Sequence, residues 1–256
     1  MSLIATAGWS QSITWFGGNQ LPYPHGVSAD GSVVVGWAEN AAGQGRAFRW
    51  TAAGGMQDLG TLGGSWSVAY GVSAHGSVVV GWAWSAGGGR RAFRWTADGG
   101  MQDLSMQGFE SWAYGVSANG SIVVGWSYFG AFYGAFRWTA AGGMENLTSA
   151  YANLLTNGSR LDEARAISAN GRYIVGRGVN AATWREEVYL LDTQPSCTTH
   201  NGDVDNNRCV DDADLLAVLF AFGSTGSNLG RVDVNCDQTV DDADLLQVLF
   251  NFGSGC

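Results

Sequence analysis

The stretch that decides the fold is Gly26–Tyr70, GVSADGSVVVGWAENAAGQGRAFRWTAAGGMQDLGTLGGSWSVAY. The chain repeats it. From Gly71, GVSAHGSVVVGWAWSAGGGRRAFRWTADGGMQDL follows almost letter for letter, and from Gly115, GVSANGSIVVGWSYFGAFYGAFRWTAAGGMENL. A worn fourth copy starts at Ala166. Starts at 26, 71, 115 and 166 lie 45, 44 and 51 residues apart, a range in which internal repetition means propellers, solenoids or arrays.

Each copy offers four short extended segments. The first ends at Val27-Ser28, and Asp30-Gly31 follows; later copies carry His75-Gly76, Asn119-Gly120 and Asn170-Gly171 there. Such dipeptides favour the tight, positive-φ turns that join antiparallel strands. Asn119-Gly-Ser also matches a glycosylation sequon, but its equivalents mark a turn position. Ser32–Trp37 is rich in β-branched residues and reads as a buried strand. In Ala47–Trp50, alternation sets Phe48 and Trp50 on one face and Arg49 on the other. Met56–Leu59 follows a Gly54-Gly55 turn. Four short strands in about 45 residues make one propeller blade.

What recurs in every copy points to stacking, because repeating units pack by repeating contacts. Arg49, Arg94 and Arg137 are therefore expected to bond Asp58, Asp103 and Glu145, or carbonyls between blades. Trp37, Trp82 and Trp126, with Trp50, Trp95, Trp138 and Trp184, read as core pillars. The segments Arg46-Ala-Phe-Arg-Trp50, Arg91-Ala-Phe-Arg-Trp95 and Gly134-Ala-Phe-Arg-Trp138 resemble the HAF family of extracellular repeats in bacterial secreted proteins, without its histidine. The resemblance covers about residues 12–192 and implies secretion and a β-rich repeat fold. Ile13–Gly18 aligns with Leu59–Gly64, which predicts an N-terminal closing strand near 12–18. The expected fold is an all-β domain over 1–195, a small four- to five-bladed β-propeller; an open β-repeat stack is the alternative.

Composition narrows the function. The 256 residues include 39 glycines, mainly at fixed repeat positions, and 3 prolines. All 13 basic residues are Arg, which excludes Schiff-base and P-loop lysines. Of the net charge of -9, residues 196–256 supply -8, from ten Asp and two Arg. Nucleic acid is a poor partner for such a chain. No apolar run reaches membrane-spanning length. The start, MSLIATAGWSQ, is no complete signal peptide; residues 1–10 read as a remnant of one or as a repeat strand.

Divergence between copies marks the candidate ligand surface, since loops on a rigid scaffold tolerate change. The loop between second and third strands reads AENAAGQGR, AWSAGGGRR and SYFGAFYG in copies one to three. It places Trp84, Tyr128, Phe129, Phe132 and Tyr133 on one face, suited to a glycan or a protein partner. The segment from Thr148 to Arg165, with Leu154, Leu155, Leu161 and Glu163, is expected to hold a short helix. Three histidines, His25, His75 and His200, assemble neither a triad nor a zinc set, so the chain reads as no enzyme. A hydrolase would need clustered carboxylates in a channel.

The tail, 196–256, carries two matched loops, DVDNNRCVDDAD over 203–214 and DVNCDQTVDDAD over 233–244. Oxygen side chains fall at positions 1, 3, 5, 9 and 12: Asp203, Asp205, Asn207, Asp211 and Asp214, then Asp233, Asn235, Asp237, Asp241 and Asp244. Position 7 gives a backbone carbonyl, from Cys209 and Thr239. This spacing wraps a calcium ion, so two ions are expected. Apolar residues at helical intervals follow in Leu215–Phe220 and Leu245–Phe250, with Gly223 and Gly253 as stops. Cys197, Cys209, Cys236 and Cys256 all lie here and suggest two disulfides in an oxidising, extracellular setting. Of three possible pairings, Cys197 with Cys209 and Cys236 with Cys256 is the expected one. The duplicated loop-helix unit resembles the dockerin module of secreted bacterial proteins, a small α-helical domain with two EF-hand-like units. The resemblance implies attachment through a cohesin-like partner, although Asp212-Ala213 and Asp242-Ala243 lack the usual hydroxyl pair. Position 6 is Arg208 and Gln238 where Gly is usual. Together these readings predict a non-catalytic binding or scaffold protein at the cell surface or outside the cell; the alternatives are a structural subunit that self-associates and a secreted hydrolase.

Overall fold

A computed structural model describes residues 12–16, 22–106, 109–155, 157–193, 200–226 and 229–256. The chain divides into two compact units, Met1–Leu191 and Asp192–Cys256. The expectations for residues 1–10 and for Cys197 lie outside the described residues.

Among its described residues the first unit is all-β in its regular structure apart from one short insertion. Sheet I joins β1 (Tyr23–Val27), β2 (Val33–Glu39), β3 (Gly45–Thr51) and β4 (Gly55–Asp58) in chain order, all antiparallel. Sheet II repeats this with β5 (Gly63–Val72), β6 (Val78–Ser85), β7 (Arg90–Thr96) and β8 (Gly100–Asp103). Sheet III does so with β9 (Ser111–Val116), β10 (Ile122–Tyr128), β11 (Tyr133–Thr139) and β12 (Gly143–Asn146). Sheet IV has three strands, β13 (Arg160–Ile167), β14 (Tyr173–Asn180) and β15 (Arg185–Asp192). The hairpin glycines Gly31, Gly76, Gly120 and Gly171 all sit at φ between 68° and 79°, as the turn dipeptides require.

The sheets pack face to face in sequence order, and the core lies between them. Val33, Val35 and Ala47 of sheet I meet Val79, Phe93 and Trp95 of sheet II. Val78, Val80 and Ala92 of sheet II meet Val123, Phe136 and Trp138 of sheet III. Val124 and Ala135 of sheet III meet Ile174 and Leu191 of sheet IV. A backbone ladder runs through the hairpin turns, with Ala29 N–H donating to Ala74, Ala74 to Ala118 and Ala118 to Ala169, each at 3.0 Å. Arg49 and Arg94 donate to carbonyls of the following sheet, Gly76 and Gly120, at 3.0 and 3.3 Å. Arg137 instead bonds Glu145 at 2.6 Å and the Tyr151 hydroxyl at 2.9 Å. Among the described residues no fourth cluster joins sheet IV to sheet I, and their row is open there.

Four expectations need correction. Residues 12–16 form no strand; Phe16 stacks on Trp50 of sheet I at 4.1 Å, and positions 17 and 18 lie outside the described residues. The reason is visible in the equivalent stretch, where Leu59–Thr61 links β4 to β5 and is no strand itself. Trp95 and Trp138 are buried pillars, but Trp184 is 82% exposed, in a turn at φ 54°. Its supposed place is taken by Leu191, 7% exposed. Trp37, Trp82 and Trp126 are half-buried. The insertion holds α1 (Leu147–Ala150), capped by Asn146, and a 3-10 turn over Ala152–Leu154, whereas Leu161 and Glu163 belong to β13.

The second unit is two loop-helix halves. Helix α2 covers Asp212–Ala221 and α3 Asp242–Phe250, each opened by a capping box, Asp211 with Asp214 and Asp241 with Asp244. Gly223 and Gly253 follow at φ 81°. Five fully buried valines, Val210, Val218, Val234, Val240 and Val248, form the core. The halves are cross-strapped: Val210 N–H donates to Ser254 at 3.0 Å, and Val240 N–H to Ser224 at 2.9 Å. Each loop thus pairs with the segment after the other loop's helix. This crossing sets Cys209 against Cys256, which form a disulfide spanning 47 residues. The expected pairs Cys197 with Cys209 and Cys236 with Cys256 are therefore wrong; Cys236 is itself disulfide-bonded.

Candidate functional site

Two sets of side chains fall where chemistry or recognition needs them. The first follows from the hairpins between second and third strands. Tyr128 ends β10 and Tyr133 opens β11, and they face each other across the ladder, with ring centres 6.2 Å apart and both near Trp126, at 5.0 and 6.2 Å. Tyr128, Phe132 and Tyr133 are 38%, 56% and 44% exposed. Phe132 stacks on Phe129 at 6.1 Å, and Phe129 packs into the core between sheets II and III. Trp84 touches none of these rings. It lies under the Arg90 guanidinium, which also covers Trp82 and Trp112 at 5.2 to 5.8 Å, and Trp112 contacts Trp126 at 4.4 Å. Arg90 Nε is buried without a hydrogen-bond acceptor, so the indole faces are what the cation has there. Trp84 thus joins Tyr128 and Tyr133 in one band only through Arg90, Trp112 and Trp126, while Phe129 and Phe132 pair with each other beside it.

A second column was missed by the sequence reading. The residues before each copy's start, His25, Tyr70, Tyr114 and Arg165, stand side by side: His25 is 5.1 Å from Tyr70, Tyr70 5.4 Å from Tyr114, and Arg165 4.4 Å over Tyr114. His25 Nδ1 also lies 2.8 Å from the Ala69 carbonyl. Beside the column, buried Glu163 pairs with Arg165 at 2.9 Å and Arg177 at 2.8 Å. Burial first, and the Glu163 charge second, push the Tyr114 hydroxyl well above the ordinary tyrosine range. Asp162 pairs with Arg160 at 2.7 Å. Both buried acids of sheet IV are thereby tied up in ion pairs. The signal that could have revealed the column was its fixed place, one residue ahead of each repeat.

The second set is the pair of acidic loops. Asp203, Asp205 and Asp214 bring one oxygen each within 4.8 Å of one another, as do Asp233, Asp237 and Asp244. Asp214 and Asp244 are fully buried. Asp214 accepts from the N–H groups of Val204, Asp205 and Asp211 at 2.6 to 3.1 Å, and Asp244 repeats this with Val234, Asn235 and Asp241. Asp203 accepts from Asn207 and Arg208 N–H, both at 3.0 Å. The amide oxygens of Asn207 and Asn235 accept from Cys209 and Asp237 N–H, and Asp211 and Asp241 cap the helices. Arg208 and Gln238, at the position where Gly is usual, adopt φ 76° and 72°. The sharp turn is therefore made without glycine, at a cost of roughly 1–2 kcal/mol each. Three carboxylates this close repel by about 3 kcal/mol per pair at an effective dielectric of about 20, which a bound cation would reverse.

No family model matches the chain, and no curated protein matches it. Solved structures do. TolB from Acinetobacter baumannii is similar over 68% of this chain and 41% of its own, at 18% identity and a TM-score of 0.48. A putative TolB from Agrobacterium tumefaciens is similar over 71% and 63%, at 17% identity and a TM-score of 0.49. A puromycin hydrolase mutant is similar over 66% and 26%, at 18% identity and a TM-score of 0.41. The chain spans less than two thirds of each of them.

Proposed function

We propose that this chain is a secreted, non-catalytic binding and scaffold protein of the HAF-repeat kind, whose sheets form part of a small propeller and whose tail is a dockerin-like calcium module. The observation that carries this reading is the doubled acidic loop. Each half converges three carboxylates, caps a helix with a fourth, and then exposes the same apolar residues: Leu216, Leu219 and Phe220 on α2, Leu246, Leu249 and Phe250 on α3. Phe220 and Phe250 are 87% and 83% exposed. Calcium in both loops would fix the starts of both helices and so present these faces for attachment, to a cohesin-like partner or another surface protein. The disulfide in the same unit supports an extracellular setting.

The test is a calcium titration of the full chain by calorimetry, followed by thermal unfolding with calcium and with chelator. Two ions per chain are expected. Asp203→Ala and Asp233→Ala should each remove one, and calcium should raise the midpoint of one unfolding transition. Equal midpoints with and without calcium would sink the calcium reading.

The aromatic band at the hairpins is the proposed ligand surface, suited to the face of a sugar ring or to a protein loop. Tyr128→Ala with Tyr133→Ala should weaken retention on an immobilised polysaccharide panel by tenfold or more, with the thermal midpoint unchanged. Full retention by the double variant would remove the band from the proposal.

A further inference from the structure

One interface is built three times in this chain, and its two halves are left over at opposite ends. At every junction the branched and small residues of one sheet meet the larger residues of the next, and one alanine N–H donates to the following alanine carbonyl. Sheet IV presents the leading half of that interface uncovered. Tyr173 and Val175 hold the places of Val78 and Val80 but are 37% and 36% exposed, against 3% and 0%. Val188 holds the place of fully buried Ala92 and is 79% exposed, and Leu190 beside it is 72% exposed. Ala169, next donor in the ladder, finds no acceptor among the described residues.

Sheet I presents the rim of the receiving half, since Phe48, in the place of Phe93, is already buried. No described residue donates to the Ala29 carbonyl, and Val27 is 61% exposed. A groove of about 520 Å³ runs past Gly31, Val34 and Trp50. Phe16 lies on Trp50 there, as the link residue Leu62 packs on the cluster that holds Trp95, so it forms part of the receiving surface.

We infer that sheet IV of one copy packs on sheet I of a second copy, with Ala169 N–H donating to the second copy's Ala29 carbonyl. The ladder has a direction, so the contact is head-to-tail and not a two-fold pairing of like faces. The occupant is this chain because the missing surface is one it already makes. A single sheet face of seven-residue strands covers roughly 450 Å² per partner, below the ~800 Å² of a standard stable interface. The association is accordingly concentration-dependent.

Sedimentation equilibrium of the full chain from about 1 to 300 µM tests this. The wild type should gain mass at least twofold across the range. Val188→Arg with Leu190→Arg, and separately Val27→Arg, should each weaken association tenfold or more; all three sites are exposed, and circular dichroism checks that each variant keeps its fold. A wild type that stays monomeric throughout overturns the inference. So does a Val27→Arg protein that still associates, which would mean like faces pairing, or a Val188→Arg/Leu190→Arg protein that associates as the wild type, which would mean another surface.

Discussion

At the hairpin turns a single oxygen performs the same task in three copies with two chemistries. Asp30 Oδ1 accepts from the Ser28 hydroxyl at 2.7 Å, the Ser32 N–H at 3.0 Å and the Ser32 hydroxyl at 2.8 Å. Asn119 accepts the same three bonds from Ser117 and Ser121, and Asn170 accepts from Ser168 and Arg172. Only Asp30 can titrate. The Ser28 hydroxyl, then the Ser32 bonds, hold its carboxyl at about 2, below the ordinary 3.8. The charged form therefore adds stability at pH above about 4 that is lost as pH falls through about 2. Asp30→Asn keeps the bonds without the charge. The gap between wild-type and variant melting temperatures should be flat above pH 4 and shift against the wild type toward pH 2; a constant gap would refute the assignment. This turn was legible in the sequence because Asp-Gly and Asn-Gly demand a positive φ by themselves, with no distant partner.

Elements were legible for the same reason, and interfaces less so. The strands of sheets I to III lie where the repeat predicted them, since β-branched runs and glycine turns are local signals. Sheet IV shows the limit. Matching tryptophan to tryptophan puts Trp184 in the core, yet counting the ladder from Gly176 makes Tyr189 and Leu191 the inward residues. Trp138→Ala should then destabilise the repeat unit by about 3–5 kcal/mol through its cavity, and Trp184→Ala by less than about 0.5 kcal/mol, both read from denaturant unfolding. Equal losses would undo the register. The disulfide pairing was illegible because it depends on the crossing of the two tail halves, which no spacing within either half encodes. The aromatic band was legible in its exposed members, Tyr128, Phe132 and Tyr133, and not in Arg90, whose role depends on indoles from two sheets.

In the repeat unit as a whole, stability is shared between neighbours, because each core cluster belongs to two sheets. A sheet with one neighbour holds less than a sheet with two. Amide hydrogen exchange at low protein concentration should accordingly be fastest in β15 of sheet IV and slowest in β6 and β10, the second strands of the inner sheets. Protection in β15 equal to that in β10 would contradict a row that is open at its end. The tail answers to its own valine core and should exchange as a separate cooperative unit whose protection rises with calcium.

The alanine ladder bears on how such a chain can change over generations. Its links use only main-chain atoms, so they place no demand on side-chain identity beyond a turn of the right shape. Duplication or deletion of a whole 45-residue unit within the row would rejoin an identical donor to an identical acceptor. Copy number can thus vary by whole units while every junction keeps its register, and individual copies, like the worn fourth, can drift far in sequence without losing their place in the row.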